Sequence, residues 1–403
     1  MKKRIFSVTA LFGLALLLCF SIQGVGADRD TLGLMPGDSD GDGVPDSTDL
    51  CPFEDASYFD RNGDGCLDDV LSARHIEYWS FDQMPFTYYI HEGGAPGIGD
   101  GSDFDAIQAS MSVWGAIPGT DFSISYGGTT TQGIADALDR VNLVTFADDE
   151  FPFPSAVLGV GISTSFTVDS LYEGTLYRPG QLVDSDMILN PTKSFITGSS
   201  GGTGTDIQSV ATHEAAHLFG ISHVAVWTST MFFVLGPGES SASLEIEDEL
   251  MFLKAYPDDA TLVSASRLTG TVTGGGTGLP VPGAIVFVID EASGDTLASD
   301  FTLPDGSFMF IGLPDGGYHV AIYPLDGTSP IGYMQPGHVN WLVGSTAETN
   351  FLPEYWNVGD SFDEDPSVKD VVSVSAGSPA TADLVTNIDV TPPTVAAVLP
   401  LDS

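Results

Sequence analysis

His213-Glu214-Ala215-Ala216-His217-Leu218-Phe219-Gly220-Ile221-Ser222-His223 is the stretch that decides the fold. Residues four apart on an α-helix share a face, so His213 and His217 can present two imidazoles to one ion. Glu214, one position on, sits near that ion but off the ligating pair, where it can take a proton from water at the metal. Gly220 can adopt the left-handed conformation that stops the helix and swings the chain round. The turn brings back His223 as a third ligand and leaves a tetrahedral zinc one open position. Three of the chain's seven histidines fall in this window. That makes the pattern far more specific than a bare H-E-x-x-H.

Outward from this motif, residues 77–257 have the composition of an ordinary globular chain. Thr205 to Phe219 is expected to be the helix that carries the motif, opened by a Thr205/Gln208 capping box, with Val210, Ala211 and Leu218 as apolar positions. Asp105 to Gly115 places apolar residues at 106, 107, 111 and 114, a helical spacing. Phe86 to His91, Phe122 to Tyr126, Val141 to Phe146 and Val183 to Leu189 are strand candidates. Leu244 to Tyr256 is a second amphipathic helix, ended by Pro257.

The eleven-residue string is the metzincin signature, and its surroundings resemble the matrixin branch of those peptidases over roughly 77–257. Val183 to Asn190 resembles the family's strand with its acidic D-x-D-I run, and Ile207 to Thr212 its helix start. Met231, eight residues past His223, stands where the family's Met-turn lies beneath the metal, and Leu244 to Tyr256 matches its closing helix. The resemblance implies an α+β catalytic domain, a mixed twisted sheet with an active-site helix. It implies zinc on His213, His217 and His223, Glu214 as the catalytic residue, and protein or peptide substrates. Two departures stand out: Val224 follows the third histidine where matrixins usually have Ser or Thr, and Phe232-Phe233 replaces the usual Tyr-Pro after the methionine.

A chain of 403 residues suggests two or three domains, and at 42% hydrophobic it can bury real cores. Residues 1–27 read as a signal peptide: Lys2, Lys3 and Arg4, then apolar Ile5 to Phe20, then small Val25 and Ala27 before the cleavage point. The expected product is secreted and does not span a membrane after cleavage. Without the leader's three basic residues, nine Lys+Arg face 55 Asp+Glu, a net charge of −46. Nucleic acid and anionic membranes demand basic surface, so the charge argues against both, and no nucleic-acid partner is expected. Cys51 and Cys66 are the two cysteines left, and an oxidising compartment favours a disulfide between them.

Residues 36–72 are acidic and turn-rich. Asp38, Asp40, Asp42, Gly43, Asp46 and Asp49 fall at positions 1, 3, 5, 6, 9 and 12 of a twelve-residue loop, the oxygen-rich arrangement calcium requires. A second copy has Asp60, Asn62, Asp64, Gly65 and Asp68, but Leu71 occupies its twelfth position, so it should bind more weakly. The segment resembles thrombospondin type 3 repeats, which implies calcium held on a disulfide-stapled string with little core. No cysteine-switch propeptide is visible, since Cys51 and Cys66 belong to these repeats.

Residues 266–325 alternate strands with turns at Asp305-Gly306 and Asp315-Gly316-Gly317. They resemble the carboxypeptidase regulatory-like β-sandwich, so an all-β sandwich is expected to follow the catalytic domain, a surface for cell-surface or matrix polymers. Residues 326–390 continue in β-rich character. Thr391 to Val395 resembles the opening strand of a bacterial immunoglobulin-like module, within 391–403. The expected activity is that of a secreted zinc endopeptidase. The other reading is a calcium-dependent adhesion or carbohydrate-binding protein whose peptidase-like domain is a scaffold.

Overall fold

The computed structural model describes residues 77–166, 170–178, 180–198, 203–232, 241–325, 345–361 and 365–387, a few isolated positions (45, 47, 48 and 336), and the backbone alone of 18–23. The calcium-loop residues from Asp38 to Asp68, with Cys51 and Cys66, lie outside them, as does 391–403. The chain divides into two compact units, 1–266 with 310–313, and 267–309 with 314–403.

In the first unit, β1 (Leu18–Gln23), β2 (Phe86–His91), β3 (Ile124–Thr130), β4 (Asn142–Thr145), β5 (Gly159–Ser165) and β8 (Leu182–Leu189) form one sheet in the order β1-β5-β8-β4-β2-β3. β3, β2, β4 and β8 are parallel, while β5 is antiparallel to β8. β1, which falls in the stretch read as a leader, pairs in parallel with β5. Short hairpin strands β6 (Ser170–Tyr172) and β7 (Thr175–Tyr177) precede β8, and β9 (Phe195–Ile196) pairs with β10 (Thr205–Asp206). The helices are α1 (Ser102–Trp114), α2 (Ile207–Leu218), α3 (Ile246–Ala255) and α4 (Asp259–Ser264).

β8 is buried along its whole length, the condition of a strand covered on both faces. Met187 and Leu189 join the main core with Ile107, Met111, Val210 and Ala211 from α1 and α2. Ile188 joins Val157, Val160 and Ile162 in a second cluster. The two clusters therefore split along the period of two that a strand imposes.

Several boundaries differ from expectation for identifiable reasons. α2 begins at Ile207 because Asp206, not Thr205, caps it: its carboxylate accepts from the Ser209 N–H at 2.8 Å. Thr205 is committed to the β9–β10 pair. Phe122 is not in β3; it packs against Phe86, Phe219, Phe252 and Tyr256. β5, with the sequence GVGISTS, was not foreseen, since Gly and Ser read as turn residues.

Every element named among the described residues of the second unit is a strand. β11 (Arg267–Gly274), β12 (Ile285–Asp290), β13 (Thr296–Phe301), β14 (Ser307–Ile311), β15 (Gly316–Tyr323), β16 (Glu354–Tyr355), β17 (Val372–Val374), β18 (Pro379–Thr381) and β19 (Leu384–Thr386) form two sheets. One has the order β14-β11-β18 with β19 also on β11, and the other β13-β12-β15-β16 with β17 also on β15. Among the described residues no helix is long and apolar enough to cross a membrane.

Candidate metal centre

The path from the sequence to the site runs through the end of α2. Gly220, at φ 82°, places the Gly220 N–H on the His217 carbonyl at 3.1 Å and the Ile221 N–H on the Ala216 carbonyl at 2.9 Å. This double closure is a Schellman motif, and it turns the chain so that His223 returns toward the helix. A Cβ at Gly220 would meet the Glu77 carbonyl oxygen at 2.0 Å, so glycine is required there twice over.

Two aromatic side chains satisfy carbonyls that the helix end leaves open. The Trp79 indole N–H donates to Leu218 O at 2.7 Å, and Tyr256 Oη donates to Phe219 O at 2.5 Å. Trp114 donates to Thr212 O at 2.9 Å. Phe219, fully buried, packs edge-on against Phe86, Trp114, Phe122 and Phe252. These contacts hold α2 in depth and along its axis.

The three imidazoles converge. His213 Nε2 lies 3.2 Å from His223 Nε2 and 3.2 Å from His217 Nε2. Among the described residues this trio is the one group of metal-ligating side chains whose ligand atoms all lie within 4.8 Å of one another. His213 Nδ1 is 2.7 Å from Thr230 O, and His217 Nδ1 is 2.7 Å from Ile221 O. A carbonyl only accepts, so both Nδ1 atoms carry the proton and both Nε2 lone pairs face inward. Two bare lone pairs at 3.2 Å repel, and a cation between them relieves it. Ligands at the usual zinc–nitrogen distance in a tetrahedron stand roughly 3.3 Å apart, so the donor set fits zinc.

Burial lowers His213 well below its ordinary value, helped by the neighbouring His217 and opposed by the Thr230 bond. It takes His217 down to about 4. Both are therefore neutral near pH 7, the state that ligates a metal. Glu214 is fully buried, and neither carboxylate oxygen has a normal hydrogen bond among the described residues. Burial pushes it well above the usual carboxylate range, with only the Gly161 backbone opposing.

β5 supplies the other wall. A Cβ on Gly161 would lie 2.5 Å from His217 Cβ and 2.8 Å from Glu214 O, so α2 sits on the strand only because that position is bare. Glu77 braces the same strand by accepting from Ser163 Oγ at 2.5 Å and Ser165 Oγ at 2.8 Å. Met231 is fully buried, and its carbonyl accepts from the Val224 N–H at 3.0 Å, tying the methionine turn to the residue after His223.

The structure thus brings together the ligand atoms of His213, His217 and His223, with Glu214 buried on the same helix and Met231 in the turn that follows. It places Asp184 and Asp186 elsewhere, buried in β8: the Arg140 N–H donates to Asp184, and the Leu143 N–H donates to Asp186 at 2.9 Å. Sequence reasoning missed Gly161, Trp79, Tyr256 and the Thr230 carbonyl. The G-x-G of 159–161 was the one available signal, since a strand glycine marks a close approach of another backbone.

A helix with two histidines one turn apart, a glycine turn returning a third, and a buried glutamate on the same helix are compatible with a metzincin-like catalytic domain. Residues 166–256 match the matrixin family, a stretch running from the end of β5 to the end of α3. That match indicates a zinc metallopeptidase domain and does not favour the adhesion reading. No curated protein matches the chain.

Proposed function

We propose that this protein is a secreted zinc-dependent endopeptidase that hydrolyses peptide bonds of extracellular proteins, with Glu214 as general base. The observation that carries the reading is the convergence of three Nε2 atoms at a helix that also carries a buried carboxylate without a normal hydrogen bond among the described residues. His213, His217 and His223 would hold the metal. Bound there, zinc supplies Lewis acidity, polarising a carbonyl and lowering the pKa of water. Glu214 takes the proton of the attacking water and returns it to the leaving amine, a task suited to a carboxyl whose proton affinity is raised. Thr230 O and Ile221 O keep the two imidazoles oriented throughout.

The proposal extends to the rest of the chain. Residues 1–27 act as an export leader, 36–72 as calcium-binding repeats stapled by a Cys51–Cys66 disulfide, and 266–325 as a sandwich that contacts cell-surface or matrix polymers. The test is metal analysis of the purified protein together with casein cleavage, with and without a zinc chelator. About one zinc per chain and chelator-sensitive cleavage are expected. A zinc-loaded protein that cleaves no unfolded protein or peptide would sink the endopeptidase reading.

A further inference from the structure

One buried carboxylate fastens the turn that carries Thr230 and Met231. Asp248, in the first turn of α3, has no exposed surface. Its Oδ2 accepts from the Thr230 N–H at 2.9 Å and from the Glu245 N–H at 2.8 Å. Its Oδ1 accepts from the Met231 N–H at 2.9 Å and from Ser229 Oγ. The Ser229 hydroxyl oxygen also accepts from the Met231 N–H at 3.1 Å. Thr230 Oγ1 donates to Ser243 O at 2.6 Å, a second tie between this turn and the run into α3.

Thr230 is therefore held from two sides. Its amide hydrogen points at Asp248, and its carbonyl oxygen receives the His213 Nδ1 proton at 2.7 Å. With the amide pinned and both neighbours tied to the same carboxylate, the direction of that carbonyl is set. The carbonyl in turn sets the ring plane of His213 and keeps its Nε2 lone pair on the metal side. An apolar residue at 248 would leave four donors without this acceptor, three of them backbone amides that cannot turn away.

We propose that Asp248 is a positioning residue for the metal centre, acting through the 229–231 turn on His213. This rests on the zinc reading above, and it adds a residue 25 positions beyond the last ligand. Loss of an outer partner of a ligating histidine costs 10–100-fold in metal affinity, and Asp248 stands one bond further out. The expected effect of its loss is therefore roughly tenfold weaker zinc binding.

The experiment uses the full chain with Asp248→Asn, Ser229→Ala and, as a control, Asp148→Asn. Asp148 is another buried acceptor, taking the Ala135, Glu150 and Phe151 amides at 3.0, 3.0 and 3.1 Å, and makes none of these contacts with the methionine turn. Zinc affinity is measured by chelator competition, and ligand geometry by the visible absorption of the cobalt(II)-substituted protein. Asp248→Asn should weaken zinc about tenfold and change the cobalt bands, with Ser229→Ala changing them less. Asp148→Asn should lower the thermal midpoint and leave the bands alone.

If Asp248→Asn lowers stability but keeps the wild-type cobalt spectrum and zinc affinity, Asp248 merely packs and the proposal falls. Should Asp248→Asn fail to fold, the Ser229→Ala spectrum decides in the same way. A wild-type chain that takes up neither zinc nor cobalt would refute the metal-centre reading itself, an outcome distinct from failure of the Asp248 proposal.

Discussion

Glu214 and Asp248 are two carboxylates in one unit, each with no exposed surface, and they are treated in opposite ways. Asp248 collects four donors, while Glu214 has no normal hydrogen bond to either oxygen among the described residues. Burial raises the pKa of both, but for Asp248 the four hydrogen bonds oppose it, and for Glu214 only the Gly161 backbone does. A carboxylate surrounded by donors is fixed in place and holds others in place. One left without them keeps a high proton affinity and is available to exchange a proton. On the function proposed above the difference separates a structural anchor from a proton carrier, and it can be broken or sharpened at several points.

The largest effect is expected at the ligands. His223→Ala leaves two imidazoles, a poor zinc site, so dialysed protein should lose stoichiometric zinc and with it all cleavage. Metal analysis decides it, and retention of one zinc per chain would mean that the third ligand lies elsewhere. Gly161→Ala should come next, because the new Cβ enters space occupied by His217 and the Glu214 carbonyl. Overpacking of this kind costs about 1–3 kcal/mol. Thermal unfolding and casein cleavage should fall together. An unaltered midpoint would mean that α2 is not seated on β5 as described.

A third carboxylate sharpens the comparison through pH. Asp184 is fully buried, one of its oxygens has no hydrogen-bond partner among the described residues, and burial with nearby Asp186 and Asp139 raises it to about 9. Unfolded, it titrates near 3.9. Its folded form therefore keeps a proton that the unfolded form has lost, and stability declines as pH rises between those two values. The slope is at most about 1.4 kcal/mol per pH unit. Asp184→Asn, which cannot ionise, should flatten the fall of the thermal midpoint between roughly pH 5 and 8. An unchanged slope would assign that fall to other groups. The smallest effect is expected at Asp206→Ala, which removes the α2 cap at a cost of about 1 kcal/mol. It should lower the midpoint slightly and leave zinc content intact.

How much of this was legible depends on how local the signal is. The ligand trio could be read because its geometry is written in one helical turn and one glycine: 213, 217, 220 and 223 need no distant partner. Helices α1, α2 and α3 and strands β2, β3, β4 and β8 were legible from periodicity. β5 was not, because the glycines that let α2 approach it carry no apolar pattern. Trp79 reaches Leu218 across 139 residues, and Asp248 reaches Thr230 across 18, so spacing alone could not join them. The expected Thr205 cap failed for a related reason: Asp206 beside it offers a carboxylate, and Thr205 is taken by pairing with Phe195. The acidic loops of 36–72 were read from position in a repeat, and their carboxylates lie outside the described residues.

The contrast between a proton carrier and the groups that hold the metal is tested most directly on one preparation of Glu214→Gln. Zinc content and casein cleavage are measured together against wild type. With Glu214 proposed to handle protons and to ligate nothing, zinc should remain near one per chain while the rate falls by about 10²–10⁴. A zinc-replete variant that retains substantial turnover, or a variant that loses its zinc, would contradict the account.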